Sequence, residues 1–130
     1  MSRHYCVIAQ RRKYVLRSLA MATLEATRID AFRRRAELCR VLTDPKRLLI
    51  LDALRDGERS VGELADALGC TLPNTSQHLA QLRSAGLVAG RREGTTVYYS
   101  LAEPRILQAC DVVGAIVGEA TDTEPPRRTA

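Results

Sequence analysis

The sequence predicts a mainly α fold of the α+β kind, with about five core helices and one two-stranded β-hairpin. Helix-start and helix-stop signals punctuate the chain between Asp30 and Gly86. The apolar period then changes from about 3.6 to 2 after Leu87, and helical spacing returns beyond Glu103. The chain has 130 residues and is 45% hydrophobic, enough for one modest core and too little for a multidomain enzyme. No apolar run approaches the roughly 20 residues needed to cross a bilayer. Arg17 and Ser18 interrupt the apolar patch from Leu16 to Ala22, so no secretory signal is convincing. A soluble chain without a membrane anchor, in a reducing cytoplasm, is the expectation.

The elements follow in order. Residues 1–28 read as a basic extension, helical or disordered, in which RRKYVLR precedes SLAMATLEATR. Leu16, Leu19, Ala20 and Leu24 can share one helical face there, and Met21 is an alternative start. Residues 29–120 read as the folded domain. Asp30 can cap a helix carrying Phe32, Ala36 and Cys39 on one stripe and Leu38, Val41 and Leu42 on the next. Thr43-Asp44-Pro45 ends it and opens a second, with Asp44 as N-cap and Pro45 at the first helical position, where its missing N–H is harmless. That helix is expected to bury Leu48, Ile50, Leu51 and Leu54 and to end at Gly57.

Ser60 and Glu63 have capping-box spacing and open a short third helix with Val61, Leu64 and Leu68 on one face, closed by Gly69. Thr71 can cap a fourth, with Pro73 in its first turn and Leu79 and Leu82 inward, ending before Gly86. Two short helices joined by a tight turn form a helix-turn-helix. Leu87-Val88-Ala89, the tip GRREGTT and Val97 to Leu101 form the hairpin, with Val97, Tyr99 and Leu101 on one face. The last helix begins near Glu103-Pro104 and aligns Leu107, Cys110, Gly114 and Val117. Residues 121–130 read as a disordered tail.

Helix-turn-helix followed by a basic hairpin is a winged helix-turn-helix. A helix N-terminus in the major groove offers side chains to base edges and backbone N–H groups to phosphates. Thr71, Asn74, Ser76 and Gln77 fall on the outer side of the fourth helix. Gln and Asn can pair adenine bidentately, whereas Ser and Thr are less selective. Arg91 and Arg92 at the hairpin can reach phosphates or the adjacent minor groove.

Charge patterning agrees. Residues 1–28 carry six bases and one acid, and the remaining chain has 14 of each. No acid occurs from Ala67 through Arg92, a stretch holding Arg83, Arg91 and Arg92, so a polyanion can lie along it without meeting like charge. For each residue singly, the alternative is a solvated polar face.

At these residues the chain resembles the ArsR/SmtB family of bacterial metalloregulatory and redox-sensing repressors, from about Ala36 to Val117. The likeness rests on LTDPKRLLIL-DALRDGERSVGELADALG, SQHLAQLRSAGLV and RREGTTVYYSL taken together. It implies a homodimer paired through the first and last core helices, a palindromic operator, and repression relieved by a ligand. His78 lies in the SQHL string and is better read as a recognition-helix scaffold or phosphate contact than as a metal ligand. Leu72 and Pro73 depart from the family, which often has polar residues there.

The family's effector sites are mostly missing. Ser60 and Gly62 stand where its thiolate metal site has cysteines, and no His occurs from Glu103 to Ala120. Asp52 and Gly118 stand where its persulfide sensors have a cysteine pair. The effector and any cofactor therefore stay unassigned. Cys39 and Cys110, one on each helix of the implied interface, have two open readings. They are small buried hydrophobes, or thiols that bind a thiophilic metal(loid) ion or oxidise reversibly. Cys6, beside His4, can add a ligand from the extension, and Cys70 reads as a packed turn residue. Cysteines are 33, 31 and 40 residues apart, with no C-x-x-C pair.

Two other function classes compete with a DNA-binding repressor. One is a winged helix used only for protein contacts. The other is a small thiol enzyme, which would need a base beside Cys39 or Cys110 that the sequence does not supply.

Overall fold

The computed structural model describes residues 2–119, the first seven of them by backbone alone. The expectations for residues 121–130 and for the side chains of His4 and Cys6 lie outside the described residues. The chain divides into two compact units between Arg40 and Val41.

The first unit is a single helix, α1 (Ser2–Val41). It runs without a break through position 28 and past Asp30, which is not a cap. The Asp30 carboxylate instead accepts a hydrogen bond from Arg33 one turn on, at 2.8 Å. Arg28 and Arg35 lie over the Phe32 ring, 5.9 and 4.7 Å from its centroid. Good helix formers carry α1 onward, and no Gly or Pro interrupts it.

The second unit contains α2 (Pro45–Ala53), β1 (Arg59–Ser60), α3 (Val61–Leu68), α4 (Leu72–Ser84), β2 (Val88–Glu93), β3 (Thr96–Leu101) and α5 (Arg105–Ile116). The Asp44 carboxylate accepts from the Lys46 N–H at 2.8 Å, with Pro45 at the helix start, as the punctuation predicts. The α2 helix closes at Leu54, three residues before the expected stop. Gly57 then turns the chain in a conformation (φ +142°) that side chains disfavour.

Both halves of the Ser60–Glu63 capping box are present, at 3.0 and 3.1 Å, and Gly69 closes α3 in the left-handed region. Thr71 caps α4 by accepting the Asn74 N–H at 3.3 Å. The hairpin turns on Gly94-Thr95, with positive φ at Gly94 alone. That is the pattern of a type II′ turn, in which glycine takes the first central position.

The core is Ile50, Leu51 and Leu54 from α2, Leu64, Ala65 and Leu68 from α3, Leu79 and Leu82 from α4, then Leu87, Val88 and Ile106. Leu48 is exposed rather than buried, because α2 turns the row Arg47, Ile50, Leu51 and Leu54 inward and leaves Leu48 and Leu49 outside. The sheet has three antiparallel strands in the order β1-β3-β2, one more than expected. The extra strand is two residues long, pairing Arg59 with Tyr99 and Ser60 with Tyr98. Its second residue is the N-cap of α3, which hides the strand from any pattern count. Among the described residues no helix is long and apolar enough to cross a membrane.

Candidate nucleic-acid interface

Helix α4 is amphipathic in a way that presents its first turns. Thr75, Leu79 and Leu82 form the buried row, one helical turn apart. Thr75 is fully buried, and its hydroxyl donates to the Thr71 carbonyl at 2.9 Å, so this polar residue anchors the helix rather than reading anything. Around this row Thr71, Asn74, Ser76 and Gln77 are exposed. Asn74, Gln77 and the equally exposed Gln81 make one row at i, i+3 and i+7. Gln81 is not among the base-reading residues expected from the sequence, although it continues the Asn74–Gln77 row by one helical turn. Thr71 accepts the Asn74 N–H, which leaves its own O–H free to donate outward.

Two contacts fix how α4 is presented. Lys46 Nζ donates to the Leu68 carbonyl at 2.7 Å, so α2 holds the last turn of α3. His78 Nδ1 faces the Asp44 carboxylate at 4.0 Å and is mostly buried, which joins α4 to the N-cap of α2. His78 therefore sits on the scaffold side of the helix. Arg47 is buried beneath them, near Asp44, and donates to the Val41 carbonyl. Arg83 is exposed but lies 12 residues past Thr71, ~18 Å along the helix axis. It is thus remote from the first turns.

The wing arginines differ. On one strand, neighbouring side chains point to opposite faces, so Arg91 and Arg92 cannot serve the same row of phosphates. Arg91 stacks over the Tyr98 ring, 5.0 Å from its centroid. It donates to Glu58 at 2.6 and 3.2 Å and to Glu93 at 2.9 Å. Arg92 is exposed and forms no ion pair among the described residues. The acid-free stretch is a property of the linear sequence, and folding brings Glu58 in from 33 positions away. Hydrogen bonds from Arg91 hold the Glu58 carboxyl below its usual range, so the pair is ionised at neutral pH.

The candidate sensor thiols are in different units. Cys39 on α1 is exposed, whereas Cys110 on α5 is half-buried. Burial pushes the Cys110 thiol upward, and nearby Asp111 and Asp52 add to this against an opposing effect of Arg55. Arg55 grips Asp111 through two hydrogen bonds, at 2.7 and 3.1 Å, and Asp52 at 3.2 Å, so α2 is tied to α5 beside this cysteine. Among the described residues no group of three His, Cys, Asp or Glu side chains could hold a metal ion. A thiophilic ion therefore has no ready-made set of three such ligands among the described residues.

A three-helix core with a presented α4 and a hairpin beside it defines a winged helix-turn-helix of the type found in DNA-binding regulators. The chain belongs to the arsR family of bacterial regulatory proteins, whose sequence profile matches residues 44–89. The transcriptional regulator CmtR of Mycobacterium tuberculosis is 44% identical over 91 residues, covering 70% of this chain and 76% of CmtR. The nodulation protein NolR of Rhizobium meliloti is 42% identical over 81 residues; the match covers 62% of this chain and 66% of NolR, just under two thirds of its length. Among solved structures, the homodimeric winged helix-turn-helix DNA-binding domain of Mb0332 from Mycobacterium bovis superposes with a TM-score of 0.62 at 35% identity. It covers 75% of this chain and 94% of that domain.

Proposed function

We propose that two copies of this chain form a cytoplasmic repressor that grips a palindromic operator, each copy placing the first turns of α4 in the major groove. The observation that carries this is the two-sidedness of α4. Thr75, Leu79 and Leu82 lock one row into the core, and Thr71, Asn74, Ser76 and Gln77 stand exposed around the rest of its first turns. Asn74 and Gln77 are assigned to base edges and Thr71 and Ser76 to bases or phosphates. Arg92 is assigned to the backbone, with Arg83 and Arg91 as secondary phosphate contacts and His78 as positioning. Residues 29–120 serve as the DNA-binding and dimerisation domain, with residues 1–28 as a basic extension.

Dimerisation is supported by an apolar surface that one copy leaves uncovered. Val112, Val113, Ile116 and Val117 are all more than half exposed on or just beyond α5. Release from DNA is assigned to a thiophilic metal(loid) ion or an oxidant acting on Cys39 or Cys110. No catalytic step belongs to this role. The test is an electrophoretic shift with DNA from upstream of the gene, for the wild type and for Gln77→Ala. The wild type should retain a specific fragment, and the variant should change which bases are preferred. Retention of no fragment, or uniform weakening in the variant, would contradict base reading by α4.

A further inference from the structure

The first unit holds a charged surface that the winged domain does not use. Arg11, Arg12, Lys13 and Arg17 are exposed on α1, and the first acid among the described side chains of that helix is Glu25. Further along α1, Arg33 pairs with Asp30, while Arg28 and Arg35 cover Phe32. The four nearer the N-terminus form no ion pair among the described residues. They fall within ~9 Å of helix axis at about 1.5 Å per residue.

We infer that this segment is a second polyanion-binding surface, which holds the phosphates of duplex DNA flanking the site read by α4; the inference rests on the DNA-binding role proposed above. Three partners compete for such a surface, and the arrangement favours DNA. At about 100° per residue the four bases spread around the helix, and Arg12 falls within the arc that holds Val15, Leu16 and Leu19. A membrane-surface helix needs an apolar side free of charge, and here Arg12 interrupts it. Pairing of this segment with itself in a second copy would bring like charges together. A groove with a phosphate row on each side matches bases that point in several directions.

The test compares Arg11→Gln, Arg12→Gln, Lys13→Gln and Arg17→Gln in one full-length variant with the wild type. Fluorescence anisotropy is read on the shortest upstream duplex that the wild type retains and on the same duplex extended by about 15 base pairs at each end. On the long duplex the variant should bind about tenfold more weakly, with a log affinity to log salt slope shallower by about three or more. On the short duplex it should match the wild type within about twofold. A second variant with Arg11→Lys, Arg12→Lys and Arg17→Lys should behave as wild type on both, which separates charge from loss of helix. Equal affinity and slope on the long duplex, or equal weakening on both lengths, would overturn the inference. So would binding of wild type to phosphatidylserine vesicles with no dependence on DNA length. A wild type that binds neither duplex would instead remove the DNA-binding role itself.

Discussion

Glu58 and Arg91 meet across the sheet, Oε1 to Nη2 at 2.6 Å, although 33 residues separate them. Arg91 reaches over Tyr98, its cross-strand partner, to a carboxylate just ahead of β1. The wing is thereby pinned to the edge of the sheet, and one of its two arginines is already neutralised. Replacing Glu58 by Gln should leave Arg91 paired with Glu93 alone and make it more available to phosphates. Affinity for nonspecific duplex should rise by a fewfold, and the salt dependence should steepen by about one unit per copy. Unchanged salt dependence would mean that Arg91 holds the wing and never meets DNA.

Arg92 points to the opposite face from Arg91. Arg92→Ala should therefore weaken binding to all sequences and flatten the salt slope more than Arg91→Ala does, as measured by anisotropy titration at several salt concentrations. Equal effects would show that Glu58 releases Arg91 when DNA arrives.

The exposed ion pairs make stability depend on acid in a defined direction. Hydrogen bonds from Arg105 lower the Glu103 carboxyl from its ordinary 4.5 to about 2, and Arg55 lowers Asp111. A folded-state value below the unfolded one contributes stability above the unfolded value, and that contribution is lost as pH falls through the folded value. Thermal unfolding should therefore show a small stability decline from about pH 4.5 toward 2. The difference between wild type and Asp111→Asn should be largest near neutrality and vanish in acid. A gap that stays constant with pH would assign the effect of Asp111 to packing.

How much of this was legible in the sequence depends on the range of the interaction. Asp44-Pro45, the Ser60–Glu63 box, Gly69 and Thr71 act within three residues, and each stands in the structure where its spacing places it. The hairpin was legible for the same reason. Asp30 failed as a cap because the chain before it has no breaker, so a residue able to cap stays inside a continuous helix. Glu58–Arg91, Lys46 to the Leu68 carbonyl and Arg55–Asp111 join residues 33, 22 and 56 positions apart. Local periodicity carries no sign of such pairs. Within the candidate interface, the outward row of α4 could be read from helical spacing. The burial of Thr75 could not, because Thr is polar by type and here satisfies its hydroxyl on its own helix.

The anchoring row of α4 should be costly to disturb. Leu79 is fully buried, so Leu79→Ala should cost about 2–5 kcal/mol in denaturant unfolding. Ser60→Ala, which removes only one half of the capping box, should cost about 1 kcal/mol. Similar losses for the two would mean that α4 is not the central support.

Cys110 should be a slow thiol. Burial and two nearby carboxylates raise its ionisation point, and the thiolate is the reactive form. Iodoacetamide labelling at Cys110, followed by mass spectrometry across pH 7–10, should show a midpoint above that of an ordinary thiol near 8.5. A midpoint at or below it would contradict the effect of burial and the two carboxylates on this thiol.

Sedimentation velocity with a fluorescent upstream duplex bears most directly on the central claim, because one run reports both self-association and DNA occupancy. Two chains should travel with each duplex, and the Asn74→Ala, Gln77→Ala double variant should still dimerise while losing preference for that duplex over an unrelated one. A chain that sediments as a monomer and leaves every upstream duplex unoccupied would contradict it.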